Sequence, residues 1–213
     1  MTDTANKLRL GILLSGGGRT MVNIAHQIRL RQLPAEIAVV ISSRATVAGV
    51  DRARELGLEP HIVRTRDFPD LSDFSRQIVT LLDAARVDLV LQCGWLCLWT
   101  IPPHFENKVM NIHPALLPAF GGQGMWGHHV HEAVLAVGCK VSGCTVHFVT
   151  NEYDSGPIIL QRTCPVLNDD NPDTLAERVF EQECLAYPKA IKLFAQQRLT
   201  VKNGKVWIKK PKD

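Results

Sequence analysis

Several features that would narrow the class of this chain at once are missing. Aromatic residues make up only 6% of it, with two tyrosines. The cysteines, Cys93, Cys97, Cys139, Cys144, Cys164 and Cys184, include no Cys-x-x-Cys pair. Structural zinc spacings are therefore missing. The thiols, mostly set in apolar runs, read as reduced and packed as small hydrophobes. No apolar segment approaches the length of a membrane span. The start, Met1-Thr2-Asp3-Thr4-Ala5-Asn6, is polar and lacks the apolar centre of a signal peptide. These absences predict a soluble, cytoplasmic protein with no membrane partner. Strong charge is missing too: the net value is +3, and much of it sits in Lys202, Lys205, Lys209, Lys210 and Lys212. A solvated tail accounts for those lysines better than a nucleic-acid surface does.

What is present is an ordinary globular composition, 46% hydrophobic and 21% charged over 213 residues, enough for one domain with a full core. Short apolar runs alternate with helical patterns through the first half. Strands are predicted at Leu8 to Leu14, Glu36 to Ile41, Pro60 to Val63, Asp88 to Gln92 and Lys108 to His113. Helices are predicted at Arg19 to Arg31, Val47 to Leu56 (ended by Gly57) and Asp70 to Ala85. Leu71, Phe74, Ile78, Leu81 and Leu82 form an amphipathic stripe on the last of these. Apolar strands separated by helices imply a parallel sheet covered on both faces. The second half predicts a helix from Met125 to Val137, strands at Gly143 to Val149 and Pro157 to Cys164, and a long helix from Asp173 to Gln196. Leu199-Thr200-Val201 and Val206-Trp207-Ile208 flank Asn203-Gly204, a strong hairpin turn signal. The fold class is α/β: a doubly wound, mostly parallel, Rossmann-like sheet with a strand-rich C-terminal extension.

Asn111-Ile112-His113-Pro114 ends one of those strands. Residues two apart on a strand project from the same face, so Asn111 and His113 point together where the strand opens into a loop. A non-titrating donor beside a titrating one suits a reaction that builds negative charge on a carbonyl oxygen. The plainer alternative is a strand end whose polar groups satisfy loop backbone. In the loop Thr150-Asn151-Glu152-Tyr153-Asp154-Ser155-Gly156-Pro157, a carboxylate near His113 would hold the imidazole protonated. Asp154, before the tight Ser-Gly-Pro turn, is the better candidate. Glu152 reads as solvated.

Ser15-Gly16-Gly17-Gly18-Arg19-Thr20 follows the first strand and opens the first helix, an arrangement that aims backbone N–H groups at an anion. It is not the dinucleotide fingerprint, because G-x-G-x-x-G from Gly16 needs glycine where Met21 stands. Nor does Gly-Lys-Ser/Thr follow, as a Walker loop requires. A phosphate monoester or mononucleotide phosphate fits; a purely structural turn fits as well. Cys93-Gly94-Trp95-Leu96-Cys97-Leu98-Trp99 offers flat indole surface for a planar heterocycle, or aromatic core beneath a loop. Gly121 to His131 is a flexible segment holding His128, His129 and His131. A helix would bring His128 and His131 to one face, but no supporting ligand set is evident, so no metal is expected and substrate or loop contacts are preferred.

With SGGGRT, NIHPALLP, GCTVHFVTNEYDSGPII and FEQECLAYP in this order, the chain resembles the phosphoribosylglycinamide formyltransferase family, folate-dependent enzymes of purine synthesis. The likeness runs from about Leu8 to near Phe194. It implies a one-carbon transferase that passes the formyl group of 10-formyltetrahydrofolate to the amine of 5′-phosphoribosylglycinamide, as a monomer or homodimer. By the same resemblance, Asn111, His113 and Asp154 are catalytic and Ser15, Gly16, Gly17, Gly18, Arg19 and Thr20 bind phosphate. Glu183 contacts the glycinamide substrate. The backbone around Trp95, Leu96, Cys97 and Leu98 and the loop Thr150, Asn151, Glu152, Tyr153 line the folate pocket. A cis Leu117–Pro118 bond is implied as well. The organisation implied is one formyltransferase domain over 1–213, with a phosphate-binding half at 8–113, a folate-binding and catalytic half at 114–196, and a hairpin with basic tail at 197–213.

Three departures stand out. Leu96-Cys97 replaces the familiar bacterial Met-Arg, removing one basic contact. Arg19-Thr20 replaces Ser-Asn, adding a positive charge near the phosphate loop. The segment GGQGMWGHHVHEAV is longer than the short Gly-Leu-His linker of many members. The run His-Pro-Ala-Leu-Leu-Pro-Ala-Phe also has a likeness to formyltetrahydrofolate hydrolases, which give the formyl group to water. Those usually carry an N-terminal regulatory domain, and about seven residues precede the first strand here. A methionyl-tRNA formyltransferase would need a further RNA-binding domain. A non-catalytic folate or phosphate sensor would have no need of Asn111, His113 and Asp154 together.

Overall fold

The computed structural model describes residues 7–211. The polar start at 1–6 and Lys212 of the basic tail lie outside the described residues. Two compact units divide the chain, Met1–Met110 and Asn111–Asp213.

In the first unit the elements are β1 (Leu8–Leu14), α1 (Arg19–Arg29), β2 (Ala35–Ser42), α2 (Ala48–Glu55), β3 (His61–Ile62), α3 (Leu71–Ala84) and β4 (Leu89–Gln92). The strands lie in the order β3-β2-β1-β4, and every pairing is parallel. Successive residues of β1 point to opposite faces, yet Leu10, Ile12, Leu13 and Leu14 are all buried. A strand covered on both sides needs such an unbroken apolar run. Phe74, Ile78 and Leu82 form the buried stripe of α3, and Asp70 caps that helix by accepting from the Asp73 N–H at 2.9 Å.

The strand β5 (Val109–His113) begins in the first unit and carries Asn111 to His113 into the second. There follow α4 (His128–Val137), β6 (Val141–Phe148), β7 (Ile158–Pro165), α5 (Pro172–Ala195), β8 (Leu199–Lys202) and β9 (Lys205–Ile208). β6 and β7 pair antiparallel, setting Thr145 opposite Gln161. Leu175, Val179, Ala186, Tyr187, Ala190, Ile191 and Leu193 are the buried residues of α5, which packs on both strands. Asn171 and Thr174 close a capping box at its start, with Pro172 at the first helical position. The β8–β9 hairpin turns through Asn203 and Gly204, both at positive φ, as the Asn-Gly pair implies. Parallel strands with flanking helices and a C-terminal antiparallel hairpin are the architecture expected from the sequence.

The helix expected from Met125 begins only at His128. Gly124 and Gly127 take positive φ values of 86° and 55°, which interrupt a right-handed helix.

Candidate active site

In the second unit, β5, the turn after it, β6 and the β6–β7 loop bring four polar side chains together. Asn111 and His113 share a face at the end of β5. His113 Nδ1 lies 3.5 Å from Asp154 Oδ2. The other oxygen, Asp154 Oδ1, lies 3.5 Å from Asn111 Nδ2 and 3.6 Å from His147 Nε2. Gly122 N–H donates to Asp154 Oδ2 at 3.0 Å. Asp154 itself sits at φ 50°, a left-handed conformation that aspartate tolerates better than most residues. Gly121 explains how the loop comes so close: a Cβ there would fall 2.5 Å from Leu117 Cδ2 and 3.3 Å from the Asp154 Cβ.

Hydrogen bonds to carbonyls fix the tautomers. His113 Nε2 is 2.7 Å from the Phe120 carbonyl, which only accepts, so Nε2 carries the proton. Neutral His113 therefore turns a bare Nδ1 toward Asp154. Likewise His147 Nδ1–H donates to the Phe148 carbonyl at 2.9 Å, leaving Nε2 to accept from Asn111 Nδ2 at 3.2 Å.

Burial decides the charge on His113. It is 4% exposed, and desolvation pushes its pKa below the ordinary imidazole value. The Asp154 charge and the Phe120 carbonyl oppose that shift without overcoming it, and nearby His147 adds to it. The sequence led us to expect the reverse, an imidazole held protonated by Asp154. Attraction is present, but at 3.5 Å it does not offset the cost of burying an imidazolium. For Asp154, burial acts upward, and nearby His147, His113 and the Gly122 N–H together outweigh it. Its carboxyl stays below the usual range.

His147 was missed in reading the sequence, although a signal for it existed. Thr145 and His147 alternate with apolar residues in Gly-Cys-Thr-Val-His-Phe, so a period of two puts both on one face of β6.

The glycine turn of the first unit is built from backbone. Gly18 takes φ 71°, and a Cβ there would fall 2.7 Å from the Gly49 Cα. Gly49 N–H donates to the Gly16 carbonyl at 3.0 Å, and the Arg52 guanidinium donates to the Gly17 carbonyl. Gly18 offers no side-chain cap to α1, whose helix starts at Arg19 and Thr20. First-turn N–H groups of that kind are the ones an anion can use. Ser15 is fully buried. Its Oγ accepts from the Ser43 hydroxyl at 2.6 Å and from the Leu96 N–H at 3.0 Å, so this side chain braces the turn.

The remaining expected residues divide between core and surface. Trp95 and Trp99 are 7% and 4% exposed, and Trp95 stacks on Phe74 at 6.2 Å between ring centroids. Of the two readings the segment allowed, pocket surface or aromatic core beneath a loop, the second holds for both rings. What Trp95 to Leu98 present outward is backbone, the part-exposed Leu96 and Cys97, and the exposed Leu98. Thr65 Oγ1 lies 3.5 Å from Cys97 Sγ. Asn151, Glu152 and Tyr153 are exposed, while Thr150 Oγ1 lies 2.9 Å from Ser155 Oγ and ties off the loop. Glu183, half-buried on α5, bears on the Cys144 thiol, which burial chiefly pushes up to about 12. His128 and His131 do not act as a pair: His128 is exposed beside Asp173 at 3.6 Å, while His131 is buried. Burial, His128 and His113 push His131 down to about 4. Among the described residues, no group of three or more His, Cys, Asp or Glu side chains is placed to hold a metal ion. No helix among them is long and apolar enough to cross a membrane. The Leu117–Pro118 bond is cis.

Residues 8–191 match the family model described as formyl transferase. The chain is 35% identical over 207 residues to the trifunctional purine biosynthetic protein adenosine-3 of Homo sapiens, covering 95% of this chain and 20% of that protein. It thus spans about a fifth of that relative's length. It is 30% identical over 203 residues to the phosphoribosylglycinamide formyltransferase of Escherichia coli (strain K12), covering 94% of this chain and 93% of that one. A crystal structure of glycinamide ribonucleotide transformylase 1 from Symbiobacterium toebii superposes with a TM-score of 0.90 at 39% identity, over 97% of this chain and 96% of that one. On a family match over 8–191 and a 30%-identical relative covered almost end to end, the chain belongs to the formyl transferase family.

Proposed function

We propose that this protein is a phosphoribosylglycinamide formyltransferase of de novo purine synthesis, acting in the cytoplasm on small-molecule substrates. It moves the formyl group of 10-formyltetrahydrofolate to the amine of 5′-phosphoribosylglycinamide. The observation that carries this reading is the meeting of Asn111, His113 and Asp154 in one buried cluster, in a chain of this family.

The amine nitrogen attacks the formyl carbon, a C–N bond forms, and the carbonyl oxygen takes up negative charge. Asn111 stabilises that oxygen, and His113 joins it once its Nδ1 has taken up a proton, an electrostatic effect worth roughly 2.7–4 kcal/mol per donor. The bond from the formyl carbon to folate N10 then breaks, and the proton shed by the attacking nitrogen has to reach N10. His113 Nδ1, bare in the resting site and facing Asp154, can hold this proton in transit. The imidazolium that forms is stabilised by the Asp154 carboxylate and by the growing oxyanion. Ser15 to Thr20 hold the substrate phosphate through backbone N–H groups, and Glu183 contacts the glycinamide. Trp95 to Leu98 and Thr150 to Tyr153 receive the folate.

The same cluster could deliver the formyl group to water. Turnover of 10-formyltetrahydrofolate, followed with and without phosphoribosylglycinamide, separates the two. Product that depends on the acceptor is the expected result. Product at the same rate without it makes the protein a hydrolase and overturns the proposal.

A further inference from the structure

Thr145 is bonded to the turn that follows β5, and its hydroxyl has no bonding capacity left. The residue is fully buried on β6. Its Oγ1 donates to the Ala115 carbonyl at 2.7 Å. It accepts from the Leu117 N–H at 3.0 Å and from Gln161 Nε2 at 3.0 Å. One donor and two lone pairs are all that a hydroxyl has. Gln161, the cross-strand partner of Thr145, uses the same nitrogen to donate to the Leu117 carbonyl at 3.0 Å. Two side chains thus hold three backbone atoms of the turn that leaves β5 after His113.

That turn has a second use. Three residues beyond Leu117, the Phe120 carbonyl fixes the proton on His113 Nε2; two further on, the Gly122 N–H holds Asp154 Oδ2. The segment 115–122 therefore supplies a partner to the imidazole and another to the carboxylate. We infer that Thr145, assisted by Gln161, is a positioning residue for formyl transfer, holding the 115–122 turn so that His113 keeps its Nε2–H tautomer and turns Nδ1 to Asp154. This inference rests on the proposed role of His113.

Thr145→Val keeps the β-branched shape, removes the hydroxyl and leaves the Ala115 carbonyl and Leu117 N–H unmet. The expected result is a fall in kcat between about 10-fold and about 100-fold with KM for both substrates little changed, as a displaced reacting group costs rate more than binding. The ¹⁵N signals of His113 should move from a pure Nε2–H tautomer toward a mixture. Thr145→Ser, which restores the hydroxyl, should recover most of both. If Thr145→Val does not fold, Gln161→Leu on the exposed face of β7 gives the same readouts with a smaller loss. A variant that loses thermal stability while kcat and the His113 tautomer stay at wild-type values would overturn the inference and leave Thr145 a plain core residue. The tautomer readout needs no substrate, so it stands even if the acceptor proves to be water.

Discussion

The glycine turn of the first unit and the polar cluster of the second solve opposite problems. At Ser15 to Gly18 the side chains withdraw or are absent. Ser15 is buried in bonds to Ser43 and Leu96, three glycines follow, and backbone faces outward. At Asn111, His113, His147 and Asp154 the backbone withdraws into strands and turns, and the side chains meet. A backbone site needs no particular functional group, only room and a free helix start. A side-chain site needs several elements to agree to within fractions of an ångström. The first should thus be sensitive to bulk and the second to chemistry.

His113→Ala is the strongest test of that difference. It removes an oxyanion donor and the proton carrier together, so kcat should fall about 10²- to 10³-fold while substrate binding changes far less. Steady-state kinetics checks it. A variant with half of wild-type kcat removes the side-chain cluster from the chemistry.

The next test concerns His131, a buried imidazole outside the reacting set. Its folded pKa of about 4 lies below the ordinary 6.5, so protons prefer the unfolded chain. Its contribution is complete above about pH 6.5 and is lost as pH falls through about 4. His113, also lowered by burial, adds in the same direction. Urea unfolding across that window should show His131→Gln with a flatter pH dependence, by up to about 3 kcal/mol. Equal slopes in both proteins would mean that His131 is hydrated in the folded state.

Gly17→Val probes the backbone site with a smaller effect. The nearest atom to a Cβ there is Arg52 Nη1 at 3.5 Å, an ordinary contact, and φ is not positive. The fold should accept valine, whereas an anion approaching the backbone should not. Calorimetry should show phosphoribosylglycinamide bound about tenfold more weakly and folate almost unaffected. Equal losses for both ligands would make the turn structural only.

Much of this was legible in the sequence because the signals are local. The β1 apolar run, the α3 stripe, the Asn203-Gly204 turn and the two-residue spacing of Asn111 and His113 each follow from one short window. What was not legible depends on burial. The charge of His113 turned on how completely β5 and the 115–122 turn exclude water, which no residue near it announces. The tryptophans at 95 and 99 read equally as pocket or core until Phe74 was known to lie against one of them. The start of α4 shifted because Gly124 and Gly127 chose positive φ. His147 and Thr145 were readable in principle from strand alternation, but their roles needed Asn111 and Ala115 to arrive from elsewhere in the chain.

An NMR titration of His113 in the wild type and in Asp154→Asn, with kcat measured on both, decides whether Asp154 acts on His113 within one catalytic cluster. The carboxylate opposes the lowering imposed by burial, so its neutral replacement should move the His113 pKa further down and cut activity sharply in a protein that still folds. An unchanged His113 pKa together with near wild-type kcat would remove Asp154 from the cluster and return it to an ordinary loop acid.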